Sequence, residues 1–235
     1  MIEKLIVDDP PGECAKRLAS AARAGAHIAL TGGSTPRIAY EQLAGMDVDW
    51  SGTTLWWGDE RCVPPDHEDS NYATAAKALL DKLPPESEGG PAVKRIHGER
   101  GPNAGADDYE RELRGTLGEE LPRLDLILLG LGPDAHVASL YPGQPTLRVK
   151  DRLAVGVEEA AFPPYVPRVS LTLPVINAAR SVVFLVTGEE KADAVDAAFG
   201  GVQSEEAPGS LVRPESGDLL LIADRAAASR LEPSA

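Results

Sequence analysis

Asp134 and His136 are the residues of this chain whose types and spacing most directly suggest chemistry. They lie in the stretch 126–145, LILLGLGPDAHVASLYPGQP. An imidazole titrates near neutrality and can take a proton from water, and a carboxylate two residues away can orient the ring and steady its charged form. The pair also has a plain structural reading, with His136 in the first turn of a helix and Asp134 as its cap. Position raises the chemical reading. The apolar run 126–129 stops at Gly130, Gly132 and Pro133, as a buried parallel strand feeding a helix would. Open α/β sheets hold ligands at the carboxyl ends of such strands.

Two further stretches follow apolar runs in the same way. In LTGGSTP, residues 30–36, two glycines precede Ser34, Thr35 and a proline-started helix. Gly32 and Gly33 let backbone N–H groups approach an anion, the two hydroxyls add donors, and the helix dipole favours negative charge. The stretch is neither a Walker A loop nor the dinucleotide G-x-G-x-x-G pattern, and a turn with an ordinary cap is its structural alternative. In GDER, residues 58–61, Asp59, Glu60 and Arg61 either meet substrate hydroxyls and phosphate or pair with one another. Arg168 and Lys191 are candidate cations of the second half, each also readable as a surface charge. His27, His67 and His97 are scattered without ligand spacing, so no metal is expected. No G-x-S-x-G elbow occurs, and Ser139 lies beyond His136, which argues against a serine hydrolase.

These residues need elements to hold them. Helices are expected over 11–25 (ended by Gly25), 36–43, 69–83 (with Asp69 or Ser70 as cap), 106–118 and 189–199. Strands are expected over 27–31, 53–57, 93–97, 124–129, 153–157, 168–173, 181–187 and 219–223, with proline-rich loops at 84–91 and 160–167. Alternating strand and helix predicts a mostly parallel sheet covered by helices on both faces. With no repeat and no long linker, residues 1–235 form one α/β domain, with room for a small lobe built from the later strands.

Composition narrows the function further. There are 37 Asp and Glu against 23 Lys and Arg, a net charge of −14, which argues against nucleic acid as a partner. No apolar run is long enough for a bilayer, and the first ten residues lack the layout of a signal peptide. Cys14 and Cys62 stand far apart, which suits a reducing cytoplasm. A small anionic molecule, met by a monomer or a weak homodimer, is the expected partner.

Four segments together resemble the 6-phosphogluconolactonase family: 30–44, 56–80, 124–143 and 163–191. GDER followed by SNY, and the L-G-x-G-x-D-x-H-x-A-S-L block, are the specific parts. The resemblance implies a Rossmann-like three-layer α/β sandwich, shared with glucosamine-6-phosphate deaminase and ribose-5-phosphate isomerase. It also implies a cytosolic hydrolase of the pentose phosphate pathway that opens 6-phosphogluconolactone to 6-phosphogluconate without a cofactor. Carried over by position, the phosphate lies on Gly32, Gly33, Ser34 and Thr35 with Arg168, Lys191 and Arg61, beside Asp59. His136 activates water, and Asp134 orients it. Backbone N–H groups of Gly130–Gly132, or a nearby cation, hold the oxyanion. The family's usual D-G-H is D-A-H here, and Ala135 is expected to be harmless in a helical position. Two rivals remain. The related deaminases place a glutamate where this chain has Tyr141, and a non-catalytic sugar-phosphate binder would keep the loop without turnover.

Overall fold

The computed structural model describes residues 2–23, 26–118 and 120–231. In chain order its elements are β1 Ile2–Ile6, α1 Pro10–Arg23, β2 His27–Leu30, α2 Ser34–Leu43, β3 Thr54–Trp57, β4 Asp59–Arg61, α3 Asn71–Ala78 and β5 Ala92–Val93. There follow α4 Pro102–Leu117, β6 Leu126–Leu129, β7 Ala154–Val157, β8 Arg168–Leu171, α5 Leu173–Ala178, β9 Ser181–Val186, α6 Ala192–Phe199 and β10 Asp218–Ala223. Seven strands form one sheet in the order β1-β10-β9-β6-β2-β3-β5, and every pairing in it is parallel. β2, β3 and β6 are apolar at almost every position because both faces of a parallel sheet are covered. Trp56 and Trp57 illustrate this: they are consecutive, so they point to opposite faces, yet both are fully buried.

Beside the large sheet lies a small antiparallel one, β4-β8-β7. Helix α4 bridges the two: the Tyr109 hydroxyl donates to Trp57 O and accepts from Trp57 N on β3, while α4 also packs against β7 and β8. The small lobe therefore exists, but it recruits β4 from the first half of the chain. GDER is a strand of this lobe and not a loop. Gly58 N–H still bonds Leu30 O as the chain leaves the large sheet, and the next residues pair with β8.

Several boundaries move for local reasons. β1 adds an edge strand to those expected: its mixed charged and apolar residues suit a strand that is only half covered. Helix α2 starts at Ser34, two residues before its proline. The 69–83 helix stops at Ala78, where Leu79 leaves helical geometry, and a single 3-10 turn at Leu80–Lys82 follows. The 93–97 strand shrinks to β5, α4 begins at Pro102, and residues 189–191 form a 3-10 turn before α6. Gly25, expected to stop the first helix, lies outside the described residues.

Candidate active site

A cavity of about 290 Å³ opens beyond the carboxyl ends of β2 and β6. These two strands are adjacent, but the chain proceeds from β2 toward β3 and β5 on one side and from β6 toward β9 and β10 on the other. That reversal is the switch point at which doubly wound sheets bind ligands.

β6 runs into a loop and not directly into an α-helix. Ala135 and Ala138 have φ of +60° and +48°, values that a right-handed helix excludes. The expectation of a harmless, helical Ala135 is therefore wrong. Its left-handed backbone favours glycine, and an alanine there costs about 1–2 kcal/mol. The loop is closed instead by Ala135 N–H donating to Gly132 O at 3.0 Å and Gly132 N–H donating to His136 O at 2.9 Å. Gly132 N–H is thus spent on the loop and is not free to meet an oxyanion. Gly132 must also be a glycine, because a Cβ there would collide with the His136 ring.

The imidazole is held on three sides. Its Nδ1 lies 2.6 Å from Asp134 Oδ1, Tyr141 flanks it with ring centroids 4.6 Å apart, and Phe162 of the proline-rich loop stacks on it at 5.5 Å. Burial works to raise the Asp134 carboxyl, but the hydrogen bond and charge of His136 outweigh it and leave Asp134 below its ordinary value. An ionised carboxylate only accepts, so Nδ1 carries the proton of this bond, and in the neutral ring the lone pair is then on Nε2. His136 lines the cavity, while Asp134 stands behind it.

Strand alternation sorts the charges of the small sheet. Asp59 and Arg61 line the cavity, and Glu60 between them points away. Glu60 is buried and accepts from Arg61 N, Ser70 Oγ, Asn71 N and Tyr72 N, so it caps the start of α3. Burial pushes its carboxyl up against those four donors. Across the ladder, Arg61 is paired in register with Arg168. Like charges directly opposite are unfavourable, and among the described residues neither guanidinium has a carboxylate within ion-pair distance. Their hydrogen bonds go to carbonyls: Arg61 to Asp69, Arg168 to Phe162, Pro164 and Val166. Arg61 Nε is buried without a partner. Lys191 completes the group, with Nζ donating to Leu131 O at 2.7 Å. Burial pushes its ammonium below the usual lysine value, against the charges of Glu190 and Asp134. Three cations around one cavity, none with a carboxylate partner among the described residues, are arranged for an anion with several oxygens.

The start of α2 adds to this. Gly33 caps it at φ +111°, no side chain satisfies its first N–H groups, and no acid lies in its first turn. Gly32 and Gly33 line the cavity, whereas Ser34 is exposed and the Thr35 hydroxyl bonds Thr187 at 2.8 Å, so neither hydroxyl belongs to the wall. Sequence reasoning missed Asn71, whose carboxamide reaches the cavity and whose Oδ1 would collide with any Cβ at Gly32. Its place directly after the helix cap Ser70 was the available signal. Phe162 was hidden among the prolines. Among the described residues, no group of three His, Cys, Asp or Glu side chains converges as a metal site would.

Residues 12–221 match the model of the family described as glucosamine-6-phosphate isomerases/6-phosphogluconolactonase. The chain belongs to this family. A 6-phosphogluconolactonase of a Nostoc species is 40% identical over 209 residues, covering 87% of this chain and 84% of the relative. A human 6-phosphogluconolactonase is 37% identical over 217 residues, covering 89% and 82%. Among solved structures, 6-phosphogluconolactonase from Trypanosoma cruzi superposes with a TM-score of 0.87 at 27% identity, covering 99% of this chain and 98% of that one. A monomeric glucosamine-6-phosphate deaminase, at 19% identity and a TM-score of 0.79, shares the fold. Tyr141, at the position where a deaminase is expected to carry its glutamate, is beside the His136 ring, and among the described residues the cavity wall carries one carboxylate, Asp59.

Proposed function

We propose that this chain hydrolyses 6-phosphogluconolactone to 6-phosphogluconate, with His136 as general base. The observation that carries the reading is the His136–Asp134 pair opening on the same cavity as the Arg61–Arg168 pair. The first supplies a base of fixed tautomer, and the second supplies a seat for phosphate. Curated relatives across most of the chain are 6-phosphogluconolactonases.

The phosphate rests on the two guanidinia, Lys191 and the open start of α2. Nε2 of His136 takes a proton from water as the water oxygen bonds to the lactone carbonyl carbon. A donor of the cavity wall, a backbone N–H of the Gly130–Leu131 turn or a cation, meets the developing oxyanion. When the tetrahedral intermediate collapses, the bond to the ring oxygen breaks and the imidazolium returns its proton to that oxygen. The new carboxyl group loses its proton to solvent. Among the described residues no helix is long and apolar enough to cross a membrane. Cys14 and Cys62 are free thiols, which supports a cytoplasmic setting.

The test is turnover of freshly generated 6-phosphogluconolactone with the spontaneous opening subtracted. A rate well above background is expected. Tight binding of 6-phosphogluconate with no excess rate would make the chain a sugar-phosphate binder instead.

A further inference from the structure

We infer that Asp59 reads the ring hydroxyls of the substrate and restricts the site to polyhydroxylated lactones. This rests on the lactonase reading and assigns the one carboxylate that lines the cavity among the described residues and that the hydrolysis leaves unused.

Asp59 is 5% exposed. Two neutral donors fix it from behind: Asn71 Nδ2 donates to Oδ1 at 3.1 Å, and Ser139 Oγ donates to Oδ2 at 2.7 Å. Both donors are anchored in turn. Asn71 N–H is held by Glu60 at 2.7 Å, and Ser139 N–H by Ser170 Oγ at 3.2 Å. The carboxylate is therefore rigid. It offers about four acceptor positions, of which two are taken, and among the described residues no cation lies within ion-pair distance of it. A buried carboxylate with vacant lone pairs facing a cavity calls for donors from the ligand. Phosphate cannot supply them, since a dianion is repelled. The carbonyl and ring oxygens of a lactone only accept. Its donors are its hydroxyls, so they must be what Asp59 meets. The cavity is polarised accordingly, with cations for phosphate and Asp59 for the ring, which fixes which end of the lactone reaches His136.

A site built to hydrogen-bond a hydroxyl strongly rejects the analogue that lacks it. The experiment compares kcat/KM for 6-phosphogluconolactone and its 2-deoxy, 3-deoxy and 4-deoxy counterparts, using wild type and Asp59→Asn. Wild type is expected to lose at least about tenfold on one or more deoxy lactones. Asp59→Asn, which keeps the shape and loses the charge, is expected to reduce that preference to less than about threefold. Ser139→Ala, which frees Oδ2, is the second variant and is expected to weaken the preference as well. A purely structural Asp59 would lower all four substrates by one factor, and that result, or an indifferent wild type, overturns the proposal. If wild type fails on the parent lactone, the hydrolytic reading is at fault. Calorimetric binding of 6-phosphogluconate against its deoxy counterparts then reads the same preference, and equal affinities would overturn it.

Discussion

The two faces of β4 put adjacent acids to opposite uses. Glu60 turns away from the cavity and receives four hydrogen bonds, three of them from the backbone at Arg61, Asn71 and Tyr72. Asp59, one residue earlier, receives its side-chain bonds from two neutral groups and faces the cavity. Arg61 repeats the pattern on the cavity face, opposite Arg168 and without an acid partner. The rear face is saturated, and the front face is left with unmet hydrogen-bonding capacity and uncompensated like charge. One side of the strand is built for stability and the other, in the proposed function, for binding, which is how a three-residue element would serve both.

Substitutions on the two faces should therefore separate in their effects. Arg61→Gln removes a charged donor from the phosphate seat and is expected to raise KM by about tenfold or more, a charged hydrogen bond being worth roughly 1.5–3 kcal/mol. Its stability should change by less than about 1 kcal/mol, because a like-charge pair disappears with it. Glu60→Gln should do the reverse, losing about 1–3 kcal/mol in denaturant unfolding by replacing an acceptor of four bonds with an amide, while KM rises less than in Arg61→Gln because Glu60 reaches the cavity only through its hold on Asn71. Equal losses in both quantities for both variants would erase the distinction.

Lys191 tests the front face through pH. Its ammonium lies below the ordinary lysine value of about 10.4, so it loses its charge earlier on the alkaline side. KM for the phosphorylated lactone is expected to rise there while the protein stays folded, and Lys191→Met should abolish that limb. The smallest effect belongs to the loop: Ala135→Gly should relieve the positive φ but add chain entropy to the unfolded state, a net gain of about 1 kcal/mol or less, read as a shift in denaturant midpoint, with kcat unchanged or slightly higher.

The two regions also differ in how legible they were. The large sheet was readable because β2, β3, β6 and β9 are short apolar runs ended by turn residues, a pattern that follows from burial on both faces. The small sheet was not. DER carries three charges and no apolar residue, so nothing local marks it as a strand; its pairing with β8, more than 100 residues later, makes it one. The same long-range pairing brings Arg61 beside Arg168, which spacing along the chain cannot reveal. His136 and Asp134 were visible as types, whereas the left-handed turns at Ala135 and Ala138 were not, since alanine argues for helix on propensity alone. Ser34 and Thr35 were drawn in by composition, yet the backbone at Gly32 and Gly33 is what reaches the cavity.

The proposed hydrolysis makes His136 and Asp134 one unit acting on water. The direct test is kcat on fresh 6-phosphogluconolactone for wild type, His136→Ala, Asp134→Asn and the double variant. His136→Ala should fall by about 10²–10⁴-fold, Asp134→Asn by a smaller factor, and the double variant no further than His136→Ala alone, as residues in one catalytic unit behave. Losses that multiply, or a His136→Ala variant that turns over at the wild-type rate, would contradict the account.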